Sequence, residues 1–200
     1  MPKVGMEDIR KSAIIQATIE AIHEHGYAKT TMAEISRRAG VSTGLPHHYF
    51  GSKDALLNAT MISLLKDLRQ QARDRLDGSK SPRERILAIV QVNFTEMQFT
   101  APVISAWLAF YVLARTDPRT RRLLTIYHRR LISNLLAEYS KLGDKASAEM
   151  AARGTAALID GLWLQCALTS NSPADGPAKA LVQDYVEKCL DSFSTIKTLT

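Results

Sequence analysis

Trp107, Phe110 and Tyr111 stand at i, i+3 and i+4 of an apolar run, so a helix there gathers three aromatic rings on one face. In a second apolar run Asp160 and Trp163, three residues apart, share a face in the same way. Aromatic faces beside a carboxylate suit organic cations that have no N–H to donate, because the ring quadrupole and a diffuse negative field act without hydrogen bonds. Asn93 interrupts the stripe Ile86, Ile89, Val90, Asn93, Met97, where a buried amide needs a polar partner such as a ligand hydroxyl. Phe94 and Phe110 suit either a binding surface or a core, and Asp160 has a structural alternative in an ion pair with Arg129 or Arg130. A lone buried carboxylate tends to take up a proton, whereas a bound cation keeps it ionised.

A second concentration of chemistry lies in residues 42–53, STGLPHHYFGSK, which holds three kinds of polar group within one short helix and its flanks. His47 and His48 are adjacent, so on a helix they point about 100° apart and do not converge on one metal ion. No nucleophile–base set, metal-ligand spacing or phosphate-cradling glycine loop is present, which argues against an enzyme. Cys166 and Cys189 lack any CxxC spacing and read as buried, reduced thiols. The net charge of +6 invites a nucleic-acid partner, yet residues 1–60 carry only seven Lys/Arg against six Asp/Glu. The densest basic stretch, Arg115 to Arg130, with six arginines and one aspartate, reads as a solvated helix face. No apolar run approaches the roughly 18 residues of a membrane span, and residues 1–11 lack a signal peptide's apolar stretch, so a cytoplasmic protein that does not engage a membrane is expected.

Apolar spacing is helical nearly throughout, which predicts an all-α fold of about nine helices. The first should cover residues 7–25, burying Ile15, Thr18, Ile19 and Ile22 and stopping at Gly26. Thr30 or Thr31 then caps a short helix, with Glu34 completing a capping box and Gly40 ending it; Ala33 and Ile35 should face the core and Val41 plug the junction. If Ser42 caps the next helix, Pro46 costs an intrahelical bond; if Thr43, Gly44 or Leu45 is the cap, none is lost. A helix that begins late or with a 3₁₀-like turn is therefore expected. One long helix follows over residues 52–77, then helices near 83–99, 102–115, 118–140, 145–168 and 178–196, the last two separated by TSNSPADGP. The expected organisation is a three-helix helix-turn-helix domain, 1–51, joined by the long helix to a ligand-binding and dimerisation domain, 52–200.

The helix near 145–168 carries a second face. Gly154, Ala157 and Leu168 fall within about 40° of Gly161, well away from Asp160 and Trp163. Small residues there suit close approach of another helix, which assigns a dimer interface to this face and to Leu181, Val182, Tyr185, Val186 and Leu190 of the last helix.

Residues 31–57, TMAEISRRAGVSTGLPHHYFGSKDALL, resemble the signature of the TetR family, matching at Ala-Gly-Val-Ser, Gly44, Tyr49-Phe50 and Lys53. The resemblance implies a transcriptional repressor in which Thr31, Ser42, Thr43, Lys53 and the Tyr49 hydroxyl contact DNA phosphates. Gly44 would stand at the same helix end, and Leu45, Pro46, His47 and His48 would face or border base edges. Amides and hydroxyls at a helix N-terminus make physical sense of such anion contacts. Further segments, HYF at 48–50, NF at 93–94, AWLAF at 106–110, RRLISNL at 129–135 and ALIDGLWL at 157–164, resemble one branch of that family, repressors of the genes that make the osmoprotectant glycine betaine. That branch implies a homodimer on a palindromic double-stranded operator, relieved by choline or a related quaternary ammonium, with Asn93, Phe94, Trp107, Phe110, Tyr111, Asp160 and Trp163 as ligand candidates. No cofactor or metal is expected. The alternative is a regulator of multidrug efflux that senses larger lipophilic or aromatic cations.

Overall fold

The computed structural model describes residues 6–78, 81–169 and 176–198. Among these the chain is all-helical: α1 (Met6–Lys29), α2 (Met32–Arg38), α3 (Leu45–Phe50), α4 (Lys53–Leu76), α5 (Pro82–Asn93), α6 (Ala101–Ala114), α7 (Pro118–Tyr139), α8 (Lys145–Thr169) and α9 (Pro177–Thr198). It divides into two compact units, Met1–Asp67 with Thr100–Leu124 and Leu68–Phe99 with Thr125–Thr200. The units interleave along the chain, each built from two separate stretches of sequence. The α6 helix packs on α1 within the first unit, and α4 and α7 each contribute to both.

The capping chemistry explains where α2, α5, α7 and α8 begin. Thr31 accepts the Glu34 amide, Ser81 and Glu84 form a reciprocal capping box, Asp117 accepts the Thr120 amide and Asp144 accepts those of Ala146 and Ser147. Gly26 breaks α1 as expected, with φ 74° and ψ 157° that an L side chain rarely adopts.

In the first unit Ile14, Ala17, Ala21, Ile35 and Leu56 form the core. Thr18, Ile19 and Ile22 of α1 are buried as expected; the difference is at the fourth member, where Ile14 is fully buried and Ile15 only half-buried. Ala33 is exposed; the buried neighbour of Ile35 is Ser36, whose hydroxyl lies 2.8 Å from the Met32 carbonyl and 3.1 Å from the Thr43 carbonyl and donates to one of them at a time.

The second unit packs Ile86 and Val90 of α5, Leu135 and Tyr139 of α7, Ala148, Ala152 and Ile159 of α8, and Val182 and Val186 of α9. Helix α5 is shorter than its apolar period suggests. It stops at Asn93, a 3₁₀ turn covers Glu96–Phe99, and Met97, expected in the buried stripe, is 55% exposed. The residues TSNSPADGP fall mostly outside the described residues. A side chain at Gly154 would meet Tyr185: a Cβ placed there lies 2.0 Å from the tyrosine oxygen. Gly154→Ala should therefore lower the free energy of unfolding by about 1–3 kcal/mol, and an unchanged denaturation curve would show that Tyr185 turns aside freely.

Candidate functional site

Helix α2, the turn and α3 form a helix-turn-helix. Gly40, at φ 64°, makes the turn, and the Val41 amide reaches the Ser36 carbonyl at 3.0 Å. Helix α3 begins at Leu45 with Gly44, not Ser42, as its N-cap and with no side-chain cap; the Leu45 amide donates to the Ser42 carbonyl at 2.9 Å, one 3₁₀-like turn ahead. The delayed start expected from Pro46 is what the backbone adopts, and it loses no intrahelical bond, since Pro46 is the second helical residue.

Thr31, Ser42, Thr43, Gly44, His47 and His48 are exposed, Leu45 and Tyr49 half-buried. Lys11 sits 5.3 Å above the Tyr49 ring, and Tyr49 and Phe50 pack against the first unit's core. Two residues depart from the expected DNA-facing set. Pro46 is buried, so its ring braces α3 from beneath rather than bordering base edges. The Lys53 ammonium donates to the carbonyls of Tyr27 at 2.9 Å, Ala28 at 3.4 Å and Thr30 at 3.1 Å, and lies 4.5 Å over the Tyr27 ring. Its three N–H bonds are committed to the end of α1, leaving none for a phosphate.

The ligand candidates fall into two groups, one in each unit. In the first, Trp107 and Phe110 are buried and meet edge to face with centroids 5.9 Å apart, while Tyr111 lies 5.8 Å from Trp107. In the second, Phe94, Phe99 and Trp163 form a row with centroid spacings of 6.1 and 6.2 Å, and the Trp163 indole N–H donates to the Gln98 carbonyl at 3.4 Å.

Asp160, on the same helix as Trp163, accepts from the Tyr127 hydroxyl at 3.3 Å and lies 3.4 Å from His128 Nε2. Arg129 and Arg130, the partners considered for it, are both exposed, and Asp160 meets Tyr127 and His128 instead. Burial pushes its carboxyl above the ordinary range, with His128 and Tyr127 pulling the other way. Asn93 is buried, but its amide donates to the Ile89 carbonyl at 2.8 Å, which meets much of the need first attributed to a ligand. Phe99, Tyr127 and His128 were not among the candidates: the first lies in the 3₁₀ turn, the other two among arginines.

The expected dimer face is altered at four positions. Gly154 and Tyr185 pack on each other within one chain, and Val182 and Val186 are fully buried in the second unit's core, so none of the four has its surface open to a partner in the assigned way. The exposed residues of α8 include Met150, Ala157, Gly161, Leu164 and Leu168, spaced at helical period, with Leu181 on α9; Leu168 is 66% and Leu181 50% exposed.

Residues 14–60 match the pattern of bacterial regulatory proteins of the tetR family, and residues 82–191 that of the BetI-type transcriptional repressor C-terminal domain. The HTH-type transcriptional regulator BetI of Agrobacterium fabrum is 49% identical over 193 residues, covering 96% of this chain and 94% of that protein. Its namesake from Brucella anthropi is 46% identical over 93% of this chain and 96% of its own length. Among solved structures, a regulator from Pseudomonas aeruginosa aligns with a TM-score of 0.75 at 29% identity, covering 94% of this chain and 91% of that one. One from Saccharomonospora viridis in complex with choline aligns with a TM-score of 0.76 at 20% identity over 88% of this chain and 95% of that one, a likeness of fold. The helix-turn-helix, its tight Gly40 turn and these relatives agree: the chain belongs to the TetR family of transcription regulators, with a BetI-type C-terminal domain, and is not an enzyme.

Proposed function

We propose that the chain acts as a homodimer, represses genes that convert choline to glycine betaine, and is relieved by choline. The observation that carries the effector assignment is Asp160: a half-buried carboxylate on the same helix as Trp163, which ends the aromatic row through Phe99 and Phe94. A trimethylammonium group would meet the ring faces and the carboxylate field together, and the Tyr127 hydroxyl next to Asp160 offers a polar partner. Trp107, Phe110 and Tyr111 supply ring faces of the same chemistry in the first unit. The curated relatives named BetI at 46–49% identity favour choline over the larger cations of efflux regulators.

For DNA, the proposed contacts are the exposed Thr31, Ser42, Thr43 and Gly44 toward phosphates and Leu45, His47 and His48 toward base edges, with the Tyr49 hydroxyl beside them. The exposed stripe of α8 with Leu181 would form the two-fold interface, setting two α3 helices about 34–36 Å apart for successive major grooves. Because α4 and α7 run through both units, a cation that prefers one arrangement of the second unit has a covalent route to the first. The shift is limited to the cation's differential affinity for the two arrangements.

A shift assay on the DNA upstream of the chain's own gene tests this. A retarded complex should form without effector and be lost or weakened as choline is added. Undiminished operator affinity at saturating choline would overturn the effector assignment, and release only by larger lipophilic cations would point to the efflux reading.

A further inference from the structure

A helix-turn-helix must approach a polyanion, yet residues 1–60 carry almost no net positive charge. Several of their cations are also committed elsewhere. Arg38 pairs with Glu24 and Glu34, Lys11 with Glu7 at 2.6 Å, and Lys53 with the carbonyls at the end of α1. Residues 100–124 belong to the same compact unit and contain Arg115, Arg119, Arg121 and Arg122 against Asp117 alone. Within that unit the positive charge therefore resides at the corner between α6 and α7.

The corner is built so that its only acid and one of its arginines are used internally. Asp117 accepts the Thr120 amide at 2.7 Å and the Thr120 hydroxyl, an N-cap for α7. Arg121 donates to the carbonyls of Ala114 at 3.1 Å and Arg115 at 2.7 Å, closing the end of α6. The Thr120 side chain, fully buried, also meets the Asn58 side chain at 2.9 Å, which fixes the corner to α4 some five residues beyond its start, about 7–8 Å along the axis. Arg115, Arg119 and Arg122 are left exposed and make no ion pair among the described residues. On α7, Arg119 and Arg122 lie within about 60° of each other, on the side away from the buried Thr120.

We propose that this corner is an accessory DNA surface, in which Arg115, Arg119 and Arg122 face the phosphate backbone of duplex flanking the helix-turn-helix footprint and supply the positive field that residues 1–60 lack. Duplex DNA is favoured as the partner because the cations share a unit with the reading helix and are tied to α4, whose first residues follow it directly. The proposal rests on operator binding by the chain.

The test compares the native chain with an R115Q/R119Q/R122Q variant and with its R115K/R119K/R122K counterpart, on the upstream DNA and on a random duplex of about 40 base pairs. Affinity is followed by fluorescence anisotropy as salt is varied. Each lost phosphate contact should flatten the dependence of log affinity on log salt by about 0.9, so the Gln variant should lose about 2–3 units of slope per protomer, about 5 for the homodimer, and bind both duplexes more weakly. The Lys variant, with charge retained, should keep the native slope, and both variants should keep the native melting curve. A Gln variant with the native slope overturns the accessory surface while operator binding stands. A native chain with no salt-dependent binding to either duplex overturns the DNA-binding reading and this proposal with it.

Discussion

Asp160→Asn is expected to weaken choline binding by about 10- to 100-fold, or about 1.4–3 kcal/mol, while leaving the chain folded. The amide keeps the shape of the side chain and can still accept from the Tyr127 hydroxyl, so what the substitution removes is charge. That charge is costly in the free protein, because burial disfavours the ionised carboxyl. The variant should therefore melt at the native temperature or slightly above it. Were Asp160 a structural partner of His128 and nothing more, the opposite pair of results would follow: a lower melting temperature and an unchanged choline affinity. Trp163 fluorescence or calorimetry reads the binding, and a variant that still binds choline as tightly as the native chain ends the assignment.

The same carboxyl sets the pH behaviour. Its value in the folded chain is raised above the unfolded one, so the stability its neutral form contributes is present at low pH and is lost as pH rises through the folded value. A bound cation acts in the opposite sense, favouring the ionised form. Choline affinity should fall as pH is lowered through that raised value, with protons taken up by Asp160 competing against the cation, and the Asn variant should lack this component.

Why the fold was legible and the site only partly so follows from the range of the forces involved. Thr31 and Gly26 act within three or four residues of themselves, so the helices they delimit can be read directly. Ile14 and Ile15 are both apolar and only about 100° apart, and the period does not say which faces inward. The end of α5 was hidden for a related reason: Val92, Asn93 and Phe94 continue an apolar period, while the Asn93 amide turns back to Ile89 and the backbone leaves the helix at Phe94. Contacts between distant residues left no local signal at all. The pairing of Asp160 with Tyr127 spans 33 residues, and both aromatic neighbours sit in a stretch whose arginines dominate its composition. Gly154 illustrates a further limit, since a small residue signals close approach without saying whether the neighbour is α9 of the same chain or a second copy.

Lys53→Met is expected to destabilise the first unit by about 2–3 kcal/mol and to weaken operator binding without changing its salt slope. Nothing within a few residues of Lys53 forecasts this, because its acceptors, Tyr27, Ala28 and Thr30, lie 23–26 residues earlier. They stand where α1 has ended and its carbonyls lack helical partners, a position that favours a cation. Tyr27 adds its ring beneath the ammonium and donates its hydroxyl to Asp54, the residue after Lys53, so the two chain segments are clasped twice. Methionine preserves the stem and the packing but returns three carbonyls to water or leaves them unpaired, and the half-buried setting limits the loss to a fraction of three full charged bonds. The consequence for DNA is indirect. Thr31, the N-cap of α2, follows Thr30 immediately, so loosening the end of α1 loosens the placement of α2 and the reading helix it supports. A phosphate contact would behave differently: removing it from both protomers would flatten the salt dependence by about 1.8 and leave the melting temperature where it was. Arginine at this position should restore stability only in part, since a planar fork does not match three converging carbonyls as an ammonium does. Chemical denaturation and salt titration of the Met and Arg variants together separate the two roles, and a Met variant with native stability and a flattened slope would return Lys53 to the DNA.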